Sequence, residues 1–341
     1  MTTRISDVAS RAGVSNATVS RVLNGNYPVA ADTRERVLAA VRDLGYVVNA
    51  HARALIVTST GTVGVIVHDV SDPYFAEIVR GVQEVADANE RLLVICNSTR
   101  NPAREISYIE MLRSHRVDAV ILAGGYIEDD DFLLALDQQA RQLRVQGARL
   151  VLCGHHAVRA DAVVPDNAGG AYRVTNELIR AGHRRIAHLV GPPGFSTSLH
   201  RLHGYHRALE SSGITPDARL ESPGDFTRDG GYDACVRLLA SGVDFTALFA
   251  ANDLMAVGAL SALREAGLSV PGDVSLVGFG DIPISHDLTP PLTTVRVPLI
   301  EMGRRSMELA LSPAEADRVL RLPTEVVTRQ SIATLASQAT A

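Results

Sequence analysis

Apolar positions along the chain follow two different periods, and the change between them divides it. Through the first 46 residues they recur at helical spacing in three short runs. Asp7 to Ala12 reads as a helix with Ser6 as its N-cap, and Gly13 ends it as a turn residue of positive φ. Ser15 caps a second helix reaching about Asn24. A third begins near Asp32 and ends at Leu44, where Gly45 is the stop. Counted at 100° per residue from Asn16, Val19, Val22 and Leu23 fall at about 300°, 240° and 340°, one apolar arc. Asn16, Ser20, Ala17 and Arg21 fall at about 0°, 40°, 100° and 140°, a separate outward face. The arc packs on Val8, Ala9 and Ala12, small enough for two helices to cross closely at a short turn.

Residues 47–60 have the composition of a linker. Asn49 caps a turn or two of helix, Ala50 to Leu55, too short to be helical alone in water.

From Gly61 the pattern becomes short β-branched runs alternating with amphipathic helices. Thr62–Val67, "RLLVIC", "VDAVIL" and "RLVLC" form one series. "DAVVP", "RIAHLV", "ALFA" and "VSLVGF" form a second. Such alternation predicts parallel sheets covered by helices, and two series predict two lobes. The expected division is 1–46, 47–60 and 61–341. The first lobe spans about 61–160 with 291–321, and the second about 161–290 with 322–336. "LTPPLTTVRVP", a helix over Leu299–Leu311 and a strand cross back between them. Ligands of open parallel sheets bind beyond the strands' C-terminal ends. The loops to inspect are therefore His68–Phe75, Gly124–Tyr126, Gly191–Arg201, Asn252–Asp253 and Gly278–Asp281.

Charge sharpens the division. The chain carries a net charge of -5. Its first 60 residues hold seven Arg against four acidic residues, or +3, leaving -8 for the rest. A basic head on an acidic body suggests that only the head meets a polyanion. An amide, a hydroxyl, a methyl and a guanidinium on one helix face are groups that read base edges in a major groove. The alternative for the same pattern is a three-helix cap with no ligand.

The remaining composition excludes several classes. No apolar run is long enough to span a membrane, and "MTTRISDVAS" lacks the apolar stretch of a signal peptide, so a cytoplasmic location is expected. Cys96, Cys153 and Cys235 lie too far apart for a CxxC metal pattern or a disulfide framework and read as buried thiols. His155-His156 finds no third ligand and reads as a surface loop, so no metal is expected. GxGxxG after a strand, GxxxxGK[ST] and GxSxG are all absent. Neither a cofactor nor catalysis is expected.

"DVASRAGVSNATVSRVLNG", "TRERVLAAVRDLGY" and "NAHARAL" resemble the DNA-binding head of the lactose-repressor/galactose-repressor (LacI/GalR) family. "SDPYFAEIVRGV", "DNAGGAY", "GHRRIAHLVGP", "FAANDLMAVGAL" and "GFGDIPISHDLTPPLTTVRVP" extend the resemblance over nearly the whole chain. It implies a small all-α helix-turn-helix DNA-binding head plus an α/β two-lobed, periplasmic-binding-protein-like effector domain with parallel sheets. The family's base-reading positions fall on Asn16, Ala17 and Arg21. Its backbone contacts fall on Ser15, Thr18, Ser20 and Asn24, and its minor-groove hinge on Ala52, Arg53 and Leu55. Effector contacts fall on Tyr74 and Phe75 in one lobe and on Arg201, Phe226, Asn252 and Asp281 in the other.

The sequence departs from the family pattern in three places. Ala30 stands where a capping Ser is usual, and Val48 where Pro is usual. Gly280-Asp281 stands where Asp-Asp is usual, so the hydroxyl-gripping carboxylate is missing or displaced by one. The resemblance implies a homodimeric, allosteric transcriptional repressor that binds a double-stranded DNA operator and a small polar metabolite, with no membrane partner. Alternatives are a free solute-binding protein and a nucleotide-dependent enzyme. Duller roles also stand for single residues: Tyr74 and Phe75 as core, Arg201 as an ion-paired surface group, Leu55 packed on the body, and Asp253 as the N-cap of its helix.

Overall fold

The structure, a computed structural model, describes residues 3–24, 27–46, 60–313 and 317–335. It divides into two compact units, Met1–Thr60 and Gly61–Ala341. The hinge positions Ala52, Arg53 and Leu55, and the side chain of Asn24, lie outside the described residues.

The head holds α1 (Ile5–Ala12), α2 (Asn16–Asn24) and α3 (Ala31–Asp43). α1 begins earlier than expected. Its N-cap is Arg4, not Ser6, because Asp7 turns back and accepts from the Arg4 N–H at 2.7 Å. Ser15 does cap α2, its Oγ accepting from Thr18 N at 3.2 Å. Ala30 leaves α3 without a side-chain cap, as its methyl requires. Gly13 turns the chain at φ 66°, and Val14 N then donates to Ala9 O. Val8, Val19 and Val37, all fully buried, join the three helices in one core.

The body begins with β1 (Thr62–Val67), α4 (Pro73–Ala88), β2 (Leu92–Asn97), α5 (Pro102–Ser114), β3 (Ala119–Ala123), α6 (Asp130–Val145), β4 (Arg149–Cys153) and β5 (Asp161–Pro165). There follow α7 (Asn167–Arg180), β6 (Ile186–Val190), α8 (Ser196–Ser211), β7 (Glu221–Pro223), α9 (Arg228–Ala240), β8 (Ala247–Ala250), α10 (Asp253–Glu265), β9 (Ser275–Gly280), α11 (Ile284–Asp287) and β10 (Thr293–Arg296). The last elements are α12 (Leu299–Leu311), β11 (Val319–Leu322) and β12 (Glu325–Val327).

One sheet has the order β11-β5-β4-β3-β1-β2 and the other β12-β10-β9-β8-β6-β7. Every pairing is parallel except β12 on β10. Two lobe boundaries therefore need correction. "DAVVP" is β5 of the first sheet, paired with β4, and β10 from "LTTVR" belongs to the second sheet, paired with β9. The first lobe thus extends to Pro165 and regains the chain at α12, while β10 stays with the second. Both strands are short and mostly buried, so either sheet could accept them. The short edge strand β7 also went unread, because its three residues carry no alternation.

Helices cover both faces of each sheet, as buried parallel strands demand. α4 and α12 cross on the first lobe with no side chain between them. A Cβ at Gly81 would meet Ile300 O at 2.0 Å, and one at Gly303 would meet Ile78 O at 2.0 Å. The chain passes between lobes after β5, between β10 and α12, and between β11 and β12.

Candidate functional site

In the head, α2 sorts its residues as its angles require. Val19 is fully buried and Val22 nearly so, whereas Asn16, Ala17 and Arg21 are exposed. Ser15 is exposed, and Thr18 and Ser20 are half-buried. The Ser15 and Thr18 hydroxyls lie 3.0 Å apart, so the pair that caps the helix also fixes its first turn. Arg21 extends its guanidinium over the ring of Tyr27, 5.7 Å from the centroid, and Tyr27 itself is exposed. A guanidinium held by an aromatic face loses less freedom when it docks. The face is donor-rich and narrow, with small residues around one Arg, which suits entry into a major groove.

In the body, the loops after the strands converge on a cavity of about 560 Å³, counted to its open mouth. Four helices deliver residues to it from their N-terminal ends. α4 supplies Tyr74 and Phe75 behind its cap Asp72. α7 supplies Asn167, α8 supplies Thr197 and Arg201 with its cap Phe195, and α10 is preceded by its cap Asn252. Phe226, His68, Arg100 and His155 complete the wall. Glycine is required where the loops meet. Gly154 has φ 150°, and a Cβ there would stand 1.9 Å from Gly124 O.

Arg201 dominates the cavity. It is 3% exposed, donates from Nε to Asn167 Oδ1 at 3.0 Å and from Nη1 to Ala251 O at 2.5 Å. Its guanidinium lies 3.8 Å from the centroid of Phe279. Burial pulls its pKa down to about 10, which still leaves it charged at neutral pH. The surface ion-pair reading of Arg201 is thereby set aside. Burial also pushes the Tyr74 hydroxyl up to about 12, and raises Asp72 against the pull of the Tyr74 N–H and Arg100.

The two lobes touch through α8. Ser196 N donates to Tyr126 O at 2.9 Å, Tyr126 N donates to Ser196 Oγ at 3.2 Å, and Ser196 Oγ donates to His155 O at 3.3 Å. His155 of the first lobe stacks on His200 of the second with ring centroids 4.5 Å apart. Burial lowers the pKa of both; His200 adds to the lowering at His155, and His203 to that at His200.

Five of the six expected effector positions line the cavity: Tyr74, Phe75, Arg201, Phe226 and Asn252. Asp281 does not. Its carboxylate is 3% exposed and accepts from Arg296 Nε at 2.7 Å and Arg329 Nη2 at 2.6 Å. Two guanidiniums hold it at the end of the second sheet. Asp253 is not the N-cap of α10 either. Asn252 caps, accepting from Met255 N at 2.9 Å, while buried Asp253 accepts from Ile282 N, Ser285 Oγ and Thr294 Oγ1. His155 is half-buried and lines the cavity, so it is not simply a surface loop residue. His68, Asp72, Arg100, Asn167, Phe195 and Thr197 were not singled out as contacts. Their shared signal is position: each follows a strand's C-terminal end or opens the next helix.

An exposed polar helix face on a three-helix core, and a two-lobed parallel-sheet body enclosing a polar cavity, define a helix-turn-helix DNA-binding protein with a periplasmic-binding-protein-like ligand domain. Residues 4–49 match the model of bacterial regulatory proteins of the lacI family, and residues 175–332 match that of periplasmic binding protein-like domains. The regulator GalR of Escherichia coli is 39% identical over 311 residues, covering 91% of this chain and 89% of that protein. The repressor PurR of Haemophilus influenzae is 36% identical, covering 90% of each. The lac repressor dimer bound to operator and the anti-inducer ONPF superposes with a TM-score of 0.84 at 28% identity, covering 98% of this chain and 100% of that one. The chain belongs to the LacI family of bacterial regulatory proteins. It is a DNA-binding transcriptional regulator, and its relatives are regulators rather than enzymes.

Proposed function

We propose that the chain is a repressor that holds a pseudo-palindromic operator as a homodimer and is controlled by a small polar metabolite in the cavity between its lobes. The observation that carries this reading is the sorting of α2. Asn16, Ala17 and Arg21 face outward while Val19 and Val22 are buried. Ser15, Thr18, Ser20 and Asn24 are assigned to the DNA backbone, and Ala52, Arg53 and Leu55 to the minor groove beside a kinked step. Tyr74, Phe75, Arg201, Phe226 and Asn252 are assigned to the effector; Asp281 supports the lobe from behind.

The edge strand β2 supports dimerisation. Leu92, Val94 and Ile95 are exposed on it, with Met111 exposed on neighbouring α5. An unpaired apolar edge invites a second chain. Among the described residues, no helix is long and apolar enough to cross a membrane. The protein works in the cytoplasm, where its operator is.

Coupling between cavity and operator needs a difference in effector affinity between two arrangements of the body, commonly about 1–3 kcal/mol. Selecting duplexes from a random pool with the purified chain, then titrating the winner against salt, tests the reading. Expected are an inverted repeat and affinity falling steeply with salt, as phosphate neutralisation requires. No enriched sequence, or a flat salt response, contradicts it.

A further inference from the structure

The seam between the lobes carries a pair of histidines that the effector reading leaves without a role. His155 follows β4 and belongs to the first lobe, while His200 sits on α8 of the second, one helical turn beyond Ser196. The turn that ties Ser196 to Tyr126 therefore also lays His200 on His155, with ring centroids 4.5 Å apart and planes 29° from parallel. The backbone joins the lobes at the same place: Glu128 N donates to Gly194 O at 2.9 Å, and Ile127 bridges Phe195. Both rings are half-buried, and neither makes a hydrogen bond or an ion pair among the described residues.

The surroundings are poor in negative charge. Arg321 of β11 acts on both rings, and His203 and Arg201 act on His200 from α8 itself. Against these cationic groups stands Glu128, exposed in the loop before α6. On the first-lobe side His155 faces the Tyr126 ring edge-on, centroids 6.4 Å apart, and its neighbour His156, whose own pKa burial drives down to about 3. Burial lowers the pKa of both stacked rings, and the neighbouring cationic groups lower them further.

We propose that the His155–His200 stack is an acid-released clasp, holding the lobes together at α8 while both rings are neutral and parting them there when the pair is protonated. Two neutral rings attract through dispersion and stacking. Two imidazoliums at that separation repel, in a seam whose other near charges are mainly positive. Opening the seam returns each ring to water, where it titrates near its ordinary 6.5. The closed seam thus holds fewer protons than the open one. Its stabilisation is complete above pH 6.5 and is lost as pH falls below that value, in the range where histidine changes charge.

Hydrogen–deuterium exchange of the full chain without ligand, at about pH 7.5 and about pH 5.5 and corrected for intrinsic rates, reads the seam directly. The reporters are the Tyr126, Glu128 and Ser196 amides, which donate across it. On acidification their protection is expected to fall about fivefold further in the wild type than in His200→Gln, which keeps a flat polar side chain and cannot titrate. His155→Gln is expected to act alike and gives the readout if the first variant does not fold. Amides of β3 and β8 are expected to change equally in all three proteins, since general acid destabilisation is common to them. Equal seam losses in the wild type and both variants put the titrating group elsewhere and overturn the clasp. Variants that alter β3 and β8 as much as the seam make the pair a general stabiliser and overturn it too.

Discussion

The sharpest stability prediction concerns His188, three residues upstream of the loop that delivers Phe195, Thr197 and Arg201. It sits on β6 with its side chain fully buried, stacked on Phe249 at 4.4 Å and 11°. Its Nδ1 lies 2.8 Å from Phe249 O, and its Nε2 is buried with no partner. Nothing in this position compensates a second proton. Burial accordingly drives the pKa down from 6.5 to about 3.

The folded value is depressed, so folding favours the neutral ring. The stabilisation is complete above pH 6.5 and is lost as pH falls toward 3. Each pH step in that window costs about 1.4 kcal/mol, so acidification from 7.5 to 5.0 removes about 2 kcal/mol through this residue alone. For a body of this size that is about 4 °C of melting temperature. His156 and His183 are lowered in the same direction and steepen the wild-type slope. His188→Asn keeps a donor for Phe249 O and cannot titrate. Melting followed by calorimetry at both pH values should show the variant losing about 2 kcal/mol less than wild type on acidification. Equal losses would mean that His188 is solvated or already paired, and the reasoning fails.

Two further outcomes follow from packing. Val19→Ala removes two buried methyl carbons from the small head core, costing about 2 kcal/mol; operator binding should weaken on warming while the body's melting transition stays put, and a shift of the body's transition would argue against independent units. Gly81→Ala places a methyl against Ile300 O where only 2.0 Å is free, so α4 and α12 must separate. About 1–3 kcal/mol of body stability should be lost, and an unchanged melting temperature would mean that the crossing relaxes freely.

What could be read from sequence follows from how local each signal is. α2 was legible because helical period and residue size put Val19 inward and Arg21 outward without reference to the rest of the chain. The strand–helix alternation of the body was legible for the same reason. Sheet membership was not. β5 and β10 are short, mostly buried runs, and the choice between sheets depends on partner strands, β4 and β11 for one and β9 and β12 for the other, that the local pattern does not name. Asp253 and Asn252 both suit a helix cap; three buried donors, from the loop after β9, from α11 and from β10, claim Asp253 and leave the cap to Asn252. Asp281 looked like a ligand group until Arg296 and Arg329, remote in sequence, took its oxygens. His155 follows β4 into the cavity wall and stacks on His200 of the other lobe, a contact no local pattern announces.

The central claim is a division of labour between an outward-turned helix that selects DNA and a body that senses a metabolite. Competition binding of Arg21→Ala to the selected operator and to a scrambled duplex examines it directly, because Arg21 is exposed and supports no core. The account predicts that preference for the operator falls about 10- to 100-fold, the 1–3 kcal/mol of a good base contact, with melting temperature and cavity-ligand affinity unchanged. Undiminished operator preference, or loss of ligand binding together with it, would contradict the account.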